Sequence, residues 1–180
     1  MINKKISIFG IVQGGLSLEH RKYSLDQVTS VDLPGYALGG FSVGEPIHLM
    51  HELLPKIAPL MPKNKPRYLM GVGTPLDLVL SVDAGVDMFD CVMPTRNARH
   101  GLLFTQNGII NIRNEKWKSD FSVLDENGTT FVDKEYSKAY LRHLLVCNEL
   151  LAAQIASIHN LGLYLWLVKE ARVKILEGTF

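Results

Sequence analysis

The sequence predicts an α/β fold built on a parallel sheet, and three observations carry that prediction. Apolar runs of strand length recur along the first half, each bounded by Gly or Pro. Each is followed by a stretch with helical spacing, the alternation that βα units produce. The 180 residues are 47% hydrophobic and 21% charged, within the globular range, so disordered and collagen-like chains are excluded. One domain is expected. A complete eight-stranded α/β barrel takes roughly 250 residues, so a barrel at this length would be only part of one.

The first strand is expected over Ile6 to Val12, closed by Gly14-Gly15, and the second over Tyr36 to Phe41, entered through Pro34-Gly35 and containing Gly39-Gly40. The third, Arg67 to Val72, follows Pro66 and is closed by Gly73-Thr74-Pro75. The fourth, Met88 to Val92, stops before Pro94, whose missing N–H cannot extend a ladder. Helices are expected over Leu18 to Ser30, Pro46 to Leu60 and Pro75 to Ala84. In the second of these, Ile47, Met50, Leu54 and Ile57 recur at three- and four-residue steps, an apolar stripe suited to covering a sheet. After Pro94 the texture becomes richer in Asn, Asp, Lys and Gly, with a hairpin signal at Gln106-Asn107-Gly108. From Glu135 two helices are expected, the first with Tyr140, Leu144, Cys147 and Leu151 on one stripe. The second runs from about Leu161 to Leu176, separated from the first near Asn160-Leu161-Gly162, whose residue types suit a helix end.

Nineteen Lys+Arg against eighteen Asp+Glu give a net charge of +1, which excludes the global basic field of a non-specific nucleic-acid binder. The two cysteines, Cys91 and Cys147, lie far apart and form neither a metal spacing nor a disulfide framework, so a reducing, cytoplasmic setting is expected. Lys4 and Lys5 before an apolar run resemble a short signal peptide, but no small-residue cleavage site follows, and a buried first strand is the better reading. The apolar run Leu161 to Val168 falls short of the roughly 20 residues that span a bilayer, so no membrane segment is expected.

Asp90 stands out because it lies in the apolar segment Met88-Phe89-Asp90-Cys91-Val92-Met93, where an unpaired carboxylate is costly to desolvate. Alternation puts Met88, Asp90 and Val92 on one side of the strand, and Pro94 places Asp90 near its carboxyl end, where parallel α/β sheets build their sites. Two readings stand: a functional carboxylate, or one that caps a loop or pairs with Arg96. Arg96, Arg99, Arg113, Lys116 and Lys118, opposed only by Glu115, suit phosphate contacts or simply form a solvated loop. Gly39-Gly40 and Gly71-Val72-Gly73 mark close backbone approaches without matching a dinucleotide fingerprint. His48, His51 and Glu52 suggest a zinc-helix motif, but Pro55 stands where its second histidine belongs, leaving a surface face. His143 and His159 read as surface or packed histidines, and the sequon at Asn127-Gly128-Thr129 carries no meaning in a cytosolic chain.

Four segments in this order and spacing resemble consecutive motifs of bacterial tRNA-guanine transglycosylases: 9–15 (FGIVQGG), 35–40 (GYALGG), 67–73 (RYLMGVG) and 88–99 (MFDCVMPTRNAR). The similarity continues through Ile110 to Asn114, Tyr140 to His143 and Ile158 to Asn160, covering essentially the whole chain. It implies the carboxyl-terminal half of a (β/α)8 TIM barrel, about four parallel strands, with an inserted subdomain and closing helices. The divisions expected are 1–103 for the half-barrel, 104–134 for the insertion and 135–180 for the helices. The family's amino-terminal half, which supplies a general-base aspartate and a base-recognising aspartate, has no counterpart here. Four of eight strands would leave two open edges, so a complementary half or a homo-oligomer is expected as partner.

The family, pentosyltransferases of queuosine modification, exchanges the wobble guanine of certain tRNAs for queuine or its aminomethyl precursor. By resemblance Asp90 aligns with the nucleophile that attacks ribose C1′ and forms a covalent ribosyl intermediate. Gln13, Gly39 and Gly40 align with positions that bind the 7-deazaguanine base. Phe41 stands where the family usually carries Leu and reads the base through its backbone carbonyl, and Met70 and Gly71 align with residues that pack on the base. Arg96 and Arg99 align with contacts to the tRNA anticodon loop. The family's zinc site uses a C-x-C-x-x-C run and a histidine. Here the aligned positions are Gly128, Thr130 and Asp133, with His159 the only ligand retained, so no metal and no other cofactor is expected. A second reading, a non-catalytic remnant or tRNA-binding accessory subunit, draws on the missing cysteines and the missing half-barrel.

Overall fold

The computed structural model describes residues 6–180, and the chain divides into two units, Met1–Cys91 and Val92–Phe180. Lys4 and Lys5, on which the signal-peptide question turned, lie outside the described residues.

The first unit alternates strand and helix: β1 (Phe9–Val12), α1 (Leu18–Thr29), β2 (Gly35–Leu38), α2 (Ile47–Ile57) with a 3-10 turn at Ala58–Leu60, β3 (Arg67–Leu69), α3 (Pro75–Asp83) and β4 (Met88–Phe89). Local chemistry sets the helix starts. Ser17 accepts a hydrogen bond from the His20 N–H, and Thr74 forms a capping box with Asp77, with Pro75 at the first helical position. The four strands pair in parallel in the order β1-β2-β3-β4, the mixed α/β arrangement that the alternation predicts. Every residue of β2 is buried, and the core between sheet and helices includes Val12, Leu38, Met50, Leu54, Ile57 and Leu69.

All four strands are shorter than expected. Ile6 to Ile8 lie outside β1 and are exposed, and the chain leaves the ladder after Leu38, Leu69 and Phe89. Two of these exits pass through glycines with left-handed φ, Gly40 at 67° and Gly71 at 71°, a conformation that turns the backbone out of the sheet. Period-two alternation therefore does not extend to Asp90 and Val92. Asp90 is exposed, so its carboxylate keeps its water and the desolvation argument for it falls away.

The second unit begins with α4 (Met93–Arg99) and a hairpin of β5 (Leu102–Thr105) and β6 (Gly108–Asn111), antiparallel with Thr105 opposite Gly108, as the Gln106-Asn107-Gly108 signal predicts. A 3-10 turn (Glu115–Trp117), α5 (Val132–Glu135), α6 (Lys138–Val146) and the 28-residue α7 (Leu150–Glu177) follow. The break between the last two helices falls at Cys147 to Glu149, not near Asn160. Asn148 takes φ 58°, ending α6, and α7 runs unbroken through Asn160-Leu161-Gly162. Those residues read as a helix end because their types are shared by caps; here Asn160 is buried, its side chain donating to the Pro94 and Leu102 carbonyls and accepting from the Phe104 N–H. By length and composition α7 is apolar enough to cross a membrane, which the run Leu161 to Val168 alone did not suggest. A core helix passes the same test, and α7 buries Ala152, Ile155, Ala156 and Tyr164 within its unit.

Candidate active site

In the parallel register of the first unit, Val12 stands beside Leu38, Leu38 beside Leu69 and Leu69 beside Phe89. The next residue on each strand is Gln13, Gly39, Met70 and Asp90. One line across the carboxyl ends of four strands thus presents four residues that the sequence singled out, with Gly40, Phe41 and Gly71 one or two positions further on.

Asp90 is held by one oxygen. Its Oδ1 accepts from the Tyr68 hydroxyl at 2.6 Å and from the Gly71 N–H at 2.8 Å, while Oδ2 carries no partner among the described residues. Gly71, with its left-handed φ, is what turns that N–H toward the carboxylate. The hydrogen bond to Asp90, with burial and the negative charge adding to it, pushes the Tyr68 phenol up to about 12.

The Gln13 side chain lies against the Gly39-Gly40 backbone. A Cβ at position 39 would stand 2.6 Å from Gln13 Nε2, and one at position 40 would stand 2.7 Å from Gln13 Oε1, so the two glycines make the space that the amide occupies. Gln13 is itself tied back, its N–H donating to the Ser24 hydroxyl at 3.0 Å.

Beneath this loop lies Arg21, which sequence reasoning missed. It is fully buried, and its guanidinium donates to the carbonyls of Gly15 at 2.7 Å, Gly39 at 3.0 Å and Gly40 at 3.2 Å. Its flat face lies 3.7 Å from the centre of the buried Phe41 ring. Burial lowers its pKa to about 10 against the opposing pull of Glu45, so it stays charged at neutral pH. Glu45 was also missed. It takes hydrogen bonds from the Ser42 and Val43 N–H groups. Burial acts to raise its pKa, but backbone N–H groups at its own position, Ser42 and Val43, with Arg21 nearby, bring it below the usual carboxylate value. A signal for Arg21 was available: Leu18, Arg21, Leu25 and Val28 share one helical face, so the arginine sits in an apolar stripe.

Arg96 and Arg99 are exposed on α4 in the second unit, together with exposed Arg113, Lys116 and Lys118. Arg99 also lines a largely apolar cavity of about 520 Å³ with Phe131, Tyr136, Leu151, Gln154 and Ile158. His48 and Glu52 are exposed as expected, whereas His51 is half-buried and its Nε2 meets Asp77 at 2.8 Å. His159 is the packed histidine. It is 2% exposed and lies 2.5 Å from Asp133, which is itself buried. Gly128 and Thr130 stand beside that pair, so the four positions aligned by resemblance with a zinc site are together in space.

Residues 2–180 match the family model for queuine tRNA-ribosyltransferase. The chain is 52% identical over 176 residues to the queuine tRNA-ribosyltransferase of Buchnera aphidicola from Acyrthosiphon pisum (strain 5A), covering 98% of this chain and 48% of that one. It is 53% identical over 173 residues to that of Lawsonia intracellularis, covering 96% and 47%, and 50% identical over 179 residues to that of Haemophilus influenzae (strain PittEE), covering 99% and 47%. The chain therefore spans about half the length of the curated relatives it matches.

Proposed function

Because the chain belongs to the queuine tRNA-ribosyltransferase family, we propose that it carries the nucleophile and much of the base pocket of a tRNA-guanine transglycosylase. The observation that carries this reading is Asp90: an exposed carboxylate at the carboxyl end of a parallel strand, fixed through one oxygen and with no partner on the other among the described residues. In the reaction, Oδ2 attacks ribose C1′ while the C1′–N9 bond of the wobble guanine breaks, and guanine leaves with the bonding electrons and takes up a proton. The incoming 7-deazaguanine then attacks the same carbon through its ring nitrogen, gives up that nitrogen's proton, and returns the electron pair to Asp90. Two displacements need one carboxylate on one face of the sugar and a base pocket on the other. Tyr68 and Gly71 keep the carboxylate in one orientation through both.

Gln13, Gly39 and Gly40 are assigned to hydrogen bonding with the base, Phe41 to reading its substituent through the backbone carbonyl, and Met70 and Gly71 to packing on its face. Arg96 and Arg99 are assigned to the phosphates of the tRNA anticodon loop, from which the target nucleotide is drawn out into the pocket. The proposed organisation is half of a (β/α)8 barrel over 1–103, an inserted subdomain over 104–134 and closing helices over 135–180, working in the cytoplasm.

The half-barrel reading implies a partner that supplies the remaining strands. Two features support it. β1 and β4 end the sheet with one side of each unpaired among the described residues, and they leave Ile11 42% and Met88 44% exposed. The test is exchange of labelled guanine into tRNA, with the chain alone and with the amino-terminal half of a relative. Exchange is expected only with both halves and should fall by more than about a thousandfold in Asp90→Asn. Exchange in neither case, or exchange indifferent to Asp90→Asn, would remove the proposal and leave a tRNA-binding subunit as the alternative.

A further inference from the structure

The positions that resemble the family's zinc ligands are occupied here by groups that bond to one another. His159 is 2% exposed and both of its ring nitrogens are engaged, Nδ1 with Asp133 Oδ1 at 2.5 Å and Nε2 with the Phe104 carbonyl at 2.8 Å. A carbonyl oxygen only accepts, so Nε2 carries a proton, and Nδ1 faces a carboxylate. Neither nitrogen offers a free lone pair to a metal. Asp133, 1% exposed, is equally occupied: its Oδ2 accepts from the Thr130 N–H at 2.7 Å and the Thr130 hydroxyl at 2.6 Å.

Neighbouring positions are fitted to this arrangement. A Cβ on Gly128 would lie 2.2 Å from Asp133 Cγ, so a thiol-bearing residue cannot stand at 128 while this aspartate points where it does. A Cβ on Gly162 would lie 2.2 Å from Thr130 Cγ2, so α7 approaches the loop closely only because that helical position is glycine. The loop itself is closed by protein groups. Gly128 N–H donates to the Asp125 carbonyl at 3.2 Å, Asp125 N–H to the Asp133 carbonyl at 3.3 Å, and the Lys134 ammonium to the Asp125 and Glu126 carbonyls. The single buried side-chain oxygen without a partner among the described residues is Asp125 Oδ2, one donor atom where structural zinc takes four ligands. No group of three or more His, Cys, Asp or Glu side chains that could hold a metal occurs among the described residues.

We propose that this unit is fastened by a metal-free clasp, the Asp133–His159 pair seated by Gly128, Thr130 and Gly162, in place of the zinc centre that the resemblance implies. The clasp ties β5, α5 and α7 together through hydrogen bonds that saturate both side chains, the condition under which a buried polar pair is held firmly. Its chemistry differs from a zinc–thiolate centre in a measurable way: it has nothing for a chelator to remove.

The test uses the full chain purified from zinc-supplemented medium, with metal content by emission spectrometry and thermal unfolding followed with and without excess EDTA. Below about 0.1 zinc per chain is expected, with superimposable melting curves. Asp133→Ala and His159→Ala should each lower the transition by roughly 6 °C or more. Should either fail to fold, Thr130→Val, which keeps the shape and loses the hydroxyl bond to Asp133 Oδ2, should show a smaller drop in the same direction. About one zinc per chain, a transition lowered by EDTA, or melting of these variants at the wild-type temperature would overturn the proposal. No tRNA or complementary half enters the measurement, so its failure is distinct from failure of the transglycosylase reading.

Discussion

Asp90 and Asp133 each accept from one backbone N–H and one nearby hydroxyl, and they stand in opposite surroundings. Asp90 takes its two bonds on Oδ1 and is exposed, and its Oδ2 has no partner among the described residues. Asp133 is 1% exposed, takes its two bonds on Oδ2 and gives Oδ1 to His159. The shared pair of an N–H and a hydroxyl is therefore a poor guide to the environment of a carboxylate. Burial and the saturation of both oxygens separate the two, one in water and one sealed in a core, and each unit of this chain supplies one of them.

The comparison makes its strongest demand on stability. Asp133→Ala should cost about 3–5 kcal/mol because it leaves His159 buried without its partner, whereas Asp90→Ala should stay within about 0.5 kcal/mol. Urea unfolding of the two variants side by side measures this, and equal costs would break the distinction. Next in size is Arg21→Met, which strips the donors from the Gly15, Gly39 and Gly40 carbonyls and should cost about 3 kcal/mol, read from the same transition. A smaller effect belongs to Gly39→Ala, whose Cβ would crowd Gln13 Nε2 at 2.6 Å and Ile11 Cγ2 at 2.9 Å. Displacing the amide should weaken binding of a 7-deazaguanine about tenfold in calorimetry on the paired halves, at about 1 kcal/mol of stability.

The smallest effect sharpens the picture of Asp90 itself. Tyr68 ionises at about 12 in the folded chain against 10 for a free phenol. The folded pKa is the raised one, so the contribution to stability is complete below pH 10 and is lost as the pH climbs from 10 to about 12. In a tyrosinate absorbance titration, Asp90→Ala should bring one phenol back toward 10; an unchanged titration would mean that the carboxylate is not what holds it.

Much of this architecture was legible because it rests on local rules. Apolar runs bounded by Gly and Pro marked all four strands, and the capping residues Ser17 and Thr74 lie where helices start. Strand ends were overextended because burial of Phe41 and Val72 by the tertiary core makes loop residues look like strand. The helix break falls away from its predicted place for a related reason. Asn160 and Gly162 are residue types of a helix terminus, yet one anchors three backbone groups and the other admits Thr130, contacts between segments distant in sequence. Asp90 drew attention as a charge in an apolar run, although the structure leaves it in water. Its Tyr68 and Gly71 partners come from a neighbouring strand and its following turn, and only register reveals them.

The central claim is that Asp90 bonds covalently to the ribose of the target nucleotide. It is tested most directly by mixing the paired halves with tRNA in the absence of incoming base, denaturing, digesting, and locating the nucleotide-bearing peptide by mass spectrometry. The account predicts a ribosyl adduct on the peptide containing Asp90 and none in Asp90→Asn. An adduct on any other residue, or active protein that yields no adduct, would contradict it.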